Sequence, residues 1–209
     1  AILMAIEQNN SDIIDILISY DKIDPNIKHR INFGNECTAL SFSIEQNIIN
    51  TIKTLLKNKK TDPNIIFLKE NKKTTVLAMA FEQNNTKIIH ILLENKTINP
   101  NIKFNINNKE CTPLSYAIDK DNVALIKSLL SLNIDPNIKL TKILHKQTEE
   151  ITALSIAIAK ENIEAIKLLL ACPTIDLNIT LAIKDRKTKT IIEENTYLHL
   201  AVDKGNKEI

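Results

Sequence analysis

Isoleucine and leucine recur along this chain in two kinds of segment. In one, such as "CTALSFSIEQN" from Cys37 and "ITALSIAIAKEN" from Ile151, apolar and small residues follow a threonine and run out into polar ones. In the other, apolar residues repeat at intervals of three and four: Ile13, Ile16 and Leu17; Ile52, Leu55 and Leu56; Ile88, Leu92 and Leu93; Val123, Ile126, Leu129 and Leu130; Ile166, Leu169 and Leu170. That spacing predicts the one-sided stripe of an amphipathic helix. The first kind predicts a helix opened by its threonine, whose hydroxyl accepts from the first free amides. The two kinds alternate across a short polar break, so helix pairs are expected throughout.

The pairs are copies of one another. Leu40, Leu77, Leu114, Leu154 and Leu198 mark equivalent places 37, 37, 40 and 44 residues apart, and Ile2 takes the leucine's place in the opening "AILMAIEQNN". Such a period signifies a solenoid of one repeated supersecondary unit. The units run over 1–34, 35–71, 72–108, 109–148 and 149–192, with a partial one at 193–209, and form one array. Each first helix begins at Thr38, Thr75, Thr112, Thr152 or Thr196, and Pro113 suits the first turn after Thr112. A small residue stands three places after each leucine position: Ala5, Ser43, Ala80, Ala117, Ala157 and Ala201. Lack of bulk there lets neighbouring units approach. Neither helix of a pair is long enough to stand alone in water, so each must bury its face against the next pair.

The break needs a residue that tolerates positive φ. Gly205 meets that need in the last unit, and Asn9, Asn47, Asn84 and Asp121 meet it elsewhere. Glu161 is the exception, where strain or a shifted turn is expected. After each second helix comes a recurring phrase: "IDPNIK" at 23–28 and 134–139, "TDPNII" from Thr61, "INPNIK" from Ile98 and "IDLNIT" from Ile175. Asp and Asn bond their own turn and Pro forbids the helix from continuing, so the phrase reads as structural punctuation.

"NTYLHLAVDKGNKEI" and "CTPLSYAIDKDNVALIKSLLSLNIDPNIK" resemble ankyrin repeats, with their T-P-L-H-x-A-A opening, Gly turn, second helix and D-V-N exit. The resemblance covers the whole chain and implies an all-α solenoid of stacked helix-turn-helix units with extended, β-hairpin-like fingers. Family units have about 33 residues; here the excess lies mainly in the fingers, from the Asn of the phrase to the next leucine position. In the fourth unit Asn133 stands where the family has its helix-ending Gly. The fifth finger, "ITLAIKDRKTKTIIEEN", reads as a β-hairpin turning at Asp185, Arg186 and Lys187. The fourth, "IKLTKILHKQTEEI", is less clearly paired. Fingers stacked side by side into a ribbon would account for their exposed apolar residues. Because the array starts one residue before a leucine position and stops at Ile209 just inside a second helix, a piece of a longer protein or assembly is expected.

Charge narrows the functions. Lys and Arg number 27 against 25 Asp and Glu, a net charge of +2 that favours neither nucleic acid nor an anionic membrane as partner. No apolar run is long enough to span a bilayer, so membrane insertion is not expected. Three cysteines without a secretory leader argue for a reducing, cytoplasmic compartment over a disulfide scaffold. His29, His90, His145 and His199 fall in different units with no metal-ligand spacing, and His199 sits at the family's turn-supporting histidine. Ser41, Ser115 and Ser155 replace that histidine elsewhere. Cys37, Cys111 and Cys172 lack a partnering histidine, and Gly34 and Gly205 build no phosphate loop. No metal, cofactor or catalytic residue is expected.

Two surfaces remain. In the family, the first-helix pair before the break faces a concave groove; here it reads Glu7-Gln8, Glu45-Gln46, Glu82-Gln83, Asp119-Lys120, Ala159-Lys160 and Asp203-Lys204. A solvated face and an extended binding surface explain this ladder equally well. The fingers concentrate basic residues, among them Arg30, Lys72, Lys146, Arg186 and Lys187, either to meet an acidic partner or to keep exposed strands from pairing. Aromatics at their tips, Phe33, Phe67 and Phe104, are too sparse for base stacking. The leading expectation is a non-catalytic module binding a protein partner through groove and fingers. The alternatives are a structural part of a large assembly, such as a cytoskeletal one, and a targeting region of a larger enzyme such as a kinase.

Overall fold

The computed structural model describes residues 1–20, 22–31, 34–132 and 134–206; Phe33, Asn133 and Ile209 lie outside the described residues. The chain divides into two compact units, Ala1–Asn99 and Pro100–Ile209. In the first, helix pairs α1 (Ile2–Glu7) and α2 (Ser11–Ser19), α3 (Ala39–Glu45) and α4 (Ile49–Lys57), and α5 (Val76–Glu82) and α6 (Thr86–Leu93) alternate with two hairpins. These are β1 (His29–Arg30) with β2 (Glu36–Cys37), and β3 (Phe67–Lys69) with β4 (Lys72–Thr74). First helices pack on first helices, second helices on second helices, and each helix on its pair mate.

The second unit repeats the scheme. Hairpin β5 (Phe104–Ile106) and β6 (Lys109–Cys111) leads to α7 (Pro113–Asp119) and α8 (Val123–Leu130). Hairpin β7 (Leu140–Ile143) and β8 (Gln147–Ile151) leads to α9 (Ala153–Ala159) and α10 (Ile163–Leu170). Hairpin β9 (Leu181–Asp185) and β10 (Ile191–Asn195) leads to α11 (Tyr197–Lys204). Leu114 and Leu154 are buried in the first helices of this unit, as Leu40 and Leu77 are in those of the first unit.

Local chemistry sets the helix ends. Thr38, Thr112, Thr152 and Thr196 each form a reciprocal capping box, with Ser41, Ser115, Ser155 and His199 reaching back from the third helical residue. The His199 Nδ1 lies 2.9 Å from the Thr196 hydroxyl, so it serves the turn as the sequence suggested. Thr75 caps one way, accepting from Ala78 N–H at 3.3 Å. At the breaks Asn9, Asn47, Asn84, Asp121 and Gly205 all have φ between 49° and 65°. Glu161 takes the same left-handed conformation at φ 55°, so the turn has not shifted and the strain is carried locally.

The second-helix stripe needs correction in α2. Ile13 and Ile16 are exposed and Leu17 is half-buried, while Ile14 and Ile18 are the buried residues. The Asn10 side chain caps α2 by accepting from Ile13 N–H, and this sets the helix phase. In that phase Ile13 falls where Ile88 is buried in α6, but α2 packs chiefly on α1 and α4, and the flank with Ile13 and Ile16 stays exposed. Leu170 and Leu198 are exposed for the same reason at α10 and α11.

The recurring phrase does more than stop a helix. Asp24, Asp62, Asp135 and Asp176 each accept from the N–H two residues on, closing a small turn. The Asn then clamps the next copy. Asn64 accepts from Asn99 N–H at 2.7 Å and donates to the Thr97 carbonyl at 2.7 Å. Asn26 holds Asp62 N–H and the Lys60 carbonyl, and Asn137 holds Asp176 N–H and the Thr174 carbonyl, in the same way. Asn101 accepts from Asp135 N–H.

The fourth finger, the less obvious hairpin in sequence, is fully paired from Leu140 with Ile151 to Ile143 with Thr148. It joins the fifth in a four-stranded antiparallel sheet ordered β10-β9-β8-β7, so the expected ribbon forms between these two fingers, while the other three hairpins are separate two-stranded sheets.

Candidate concave groove

In the second unit the first helices and the fingers enclose an open groove of about 600 Å³. Its helical wall is formed by α7, α9 and α11 through Ser115, Asp119, Ile156, Ala159, Lys160 and Leu200. Its other wall comes from β6, β7 and β8 through Glu110, Cys111, Thr141, Ile143, Glu149 and Ile151. The positions follow from register: Ile156 and Leu200, each two beyond its leucine position, line the helical wall, while Ile151 shares a hairpin face with Lys142 and Glu149 and Ile143 lies on the opposite face at the end of β7. Lys142 and Glu149 form an ion pair at 2.8 Å on the face they share with Ile151, and Ile143 is exposed at the end of β7.

Asp119 and Lys120 end α7 at the rim, both exposed. The Lys120 ammonium lies 5.7 Å from the Tyr116 ring centre, where it is held by the ring face. Lys160 is committed internally: its ammonium donates to the Asp119 carbonyl and to the Ile118 carbonyl at 3.4 Å, and pairs with Asp121 at 3.1 Å. It therefore caps the C-terminal end of α7 from the neighbouring repeat. Hydrogen bonds from Lys160 and from Asn162 hold the Asp121 carboxyl below its ordinary value. Burial, then the charge of Asp119, pushes the Cys111 thiol up, so it stays protonated at neutral pH and is a poor nucleophile.

In the first unit Glu7, Gln8, Glu45, Gln46, Glu82 and Gln83 are exposed at the ends of α1, α3 and α5. Glu45 pairs with Lys69 of the second finger at 3.6 Å. Burial raises the Glu82 carboxyl, with Lys69 and Lys72 opposing it and Glu70 adding to it. Arg30 and Lys72 are exposed in their hairpins. Lys146, Arg186 and Lys187 are exposed together at the tips of the fourth and fifth fingers, where Arg186 N–H donates to the Lys146 carbonyl at 2.9 Å.

The ankyrin-repeat family model matches residues 61–140 in three copies. Solved structures extend the likeness in fold across the chain. The ankyrin repeat domain of Bcl-3, described as a unique member of the IkappaB protein family, superposes with TM-score 0.60 at 16% identity over 96% of this chain and 76% of its own. The ankyrin repeat protein EF0377 gives 0.61 at 20% identity over 100% and 94%. An ankyrin repeat domain from Acinetobacter baumannii AYE gives 0.58 at 20% over 99% and 92%. Residues 61–140 match ankyrin repeats, and the chain as a whole has the ankyrin-repeat fold. A sequence search of curated proteins finds no match.

Ankyrin repeats are generally non-catalytic modules of protein–protein interaction. The charged pairs at the first-helix ends were legible from sequence; the apolar floor of Ile151, Ile156 and Leu200 was not. Its helical signal was present in Ile156 and Leu200, the residues two beyond the leucine positions Leu154 and Leu198. Among the described residues no helix is long and apolar enough to cross a membrane.

Proposed function

We propose that this ankyrin array binds a protein partner through the concave first-helix face and fingers, chiefly in the groove of the second unit. The observation that carries this reading is the groove itself, an open, apolar-floored channel of about 600 Å³ with both signs of charge on its rim. Asp119 and Asp203 alternate there with Lys120 and Lys204, so a partner segment with apolar anchors and interspersed charges is complementary to it. The exposed Lys146, Arg186 and Lys187 extend the contact to acidic residues flanking that segment. The three cysteines, none in a disulfide, suit a reducing compartment, and we place the protein in the cytoplasm.

The test begins with proximity labelling in the native cell to obtain a partner, followed by affinity measurement with variants. Ile156→Asp, at a half-buried position on the helical wall, puts a charge on the groove floor, so binding should weaken at least tenfold. Lys167→Asp, on the outer helix α10, should leave it unchanged. Equal affinity for both variants and the parent chain would refute the groove.

A further inference from the structure

Within the four-stranded sheet, lysines meet carboxylates. Lys142 stands opposite Glu149 and pairs with it at 2.8 Å, and Lys184 and Lys139 both reach Glu150, at 2.6 and 2.9 Å. One cross-strand pair breaks the rule. Gln147 is opposite Asp185, and the next step of the same register, where Arg186 N–H donates to the Lys146 carbonyl at 2.9 Å, sets Lys146 opposite Arg186. Opposite residues of an antiparallel pair share a face, with Cβ atoms about 4.5–5.5 Å apart, and like charges so placed are destabilising. The pair sits where the fourth and fifth fingers join, between β8 and β9, and these strands are flanked by β7 on one side and β10 on the other.

The second finger meets the same conflict and resolves it. Lys69 is opposite Lys72, and first-helix acids answer both: Glu45 lies 3.6 Å from Lys69, and although burial raises the Glu82 carboxyl, the charges of both lysines oppose that rise. At the joined tips no such acid is placed. Lys146, Arg186 and Lys187 are exposed, and their side chains have no ion-pair or hydrogen-bond partner among the described residues. Asp185, the acid of this tip, spends its carboxylate on the turn, accepting from Lys187 N–H at 2.8 Å, Thr188 N–H at 2.7 Å and the Thr188 hydroxyl at 3.1 Å. Lys189 adds a further cation at φ 61°, a left-handed conformation that the second and third fingers give to Asn71 and Asn108. Four cations thus gather around one engaged carboxylate, in a chain whose whole net charge is +2.

We propose that the joined tips of the fourth and fifth fingers dock the carboxylates of a protein partner, with Lys146 and Arg186 as the receiving pair, and that this pair is kept at a cost in stability for that purpose. Carboxylates are what relieve the matching pair in the second finger. Exposed Ile143, opposite Thr148 and on the face that Thr148 shares with Lys146, offers apolar contact beside the charges, as a protein segment can use. A nucleic acid or an anionic membrane is disfavoured, because its continuous negative charge would also meet the exposed Glu193 and Glu194 on the adjoining β10. Docking at these tips belongs to the protein-binding role proposed above but needs no contact with the groove.

The probe is a fluorescent peptide alternating glutamate with threonine around one isoleucine, titrated against the whole chain by anisotropy at low salt. Saturable binding is expected, lost when glutamine replaces the peptide's glutamates and weakened at least tenfold by Lys146→Glu. That same substitution puts opposite charges across β8 and β9, so it should raise Tm by about 1–3 °C while it weakens binding. Lys146→Glu combined with Arg186→Glu should transfer binding to a peptide with lysine in place of glutamate. Ile156→Asp in the groove should leave the probe's affinity unchanged, which separates failure of the groove from failure of the tips. Absence of binding, indifference to Lys146→Glu, a fall in Tm with that variant, or loss of the probe with Ile156→Asp would overturn the proposal. Lys146-dependent binding of a single-stranded oligonucleotide or of phosphatidylserine vesicles, tighter than that of the peptide, would overturn it in favour of a polyanion.

Discussion

Replacing Asn64 by alanine tests how one repeat holds the next. The substitution removes two hydrogen bonds of 2.7 Å, to Asn99 N–H and to the Thr97 carbonyl, and leaves the local turn bond from Asn64 N–H to Asp62 intact. A neutral hydrogen bond contributes about 0.5–1.5 kcal/mol net, and water can re-solvate both freed groups at this surface, so a loss of about 1–2 kcal/mol is expected. With a urea slope of about 2–3 kcal/mol per M, the midpoint should fall by roughly half a molar at unchanged slope. The comparison is Asn178→Ala. Asn178 has the same turn to Asp176, but its side chain has no partner among the described residues. That variant should stay within about 0.5 kcal/mol of the parent. Equal destabilisation by the two would show that the asparagine acts only within its own turn and would refute the clamp. Faster hydrogen exchange at the Asn99 amide in Asn64→Ala would locate the effect.

Three further outcomes follow from the same geometry. Glu161→Gly should stabilise by about 0.5–1 kcal/mol, read as a rise in Tm, because φ 55° strains a glutamate and not a glycine. Thr152→Val removes a capping box and strands the buried Tyr197 hydroxyl, 2.9 Å from Thr152 Oγ1; it should cost about 1 kcal/mol more than Thr38→Val, with the excess abolished in a Tyr197→Phe background. Partial burial alone would raise the Glu150 carboxyl, yet hydrogen bonds from Lys184, Lys139 and Ala182 N–H hold it at about 2 against an ordinary 4.5. Between those values the unfolded chain binds the proton and the folded chain does not, so the contribution is full above about pH 4.5 and fades toward pH 2. Glu150→Gln should flatten that acid limb in pH-dependent denaturation.

The sequence disclosed whatever is settled within a few residues. A threonine followed three places on by serine or histidine specifies a capping box, and Asn or Asp at the break specifies a left-handed turn; both hold in the structure. Features that depend on neighbours were harder to read. The α2 stripe slipped by one residue because the run from Ile13 to Ile18, apolar except for Asp15, gives little phase until Asn10 caps the helix and one flank is left exposed. The asparagine clamp had a visible trace: Pro is missing from "IDLNIT" and Asp from "INPNIK", yet Asn stays in all five phrases. Its meaning required knowing that the next phrase lies beside it. The groove divided similarly. Its charged rim follows from family register, but the apolar floor needs β7 and β8 to pair, and the sequence of that finger left the pairing unclear. Lys160, a rim residue by sequence, is occupied in capping α7.

The most direct test of the groove is amide hydrogen exchange on the chain with and without its partner. Slowed exchange at 109–111, 141–143 and 149–151 on the fingers, and at 119–120 at the end of α7, is the predicted footprint. Protection confined to the outer helices α8 and α10, with those finger and rim amides unchanged, would contradict it.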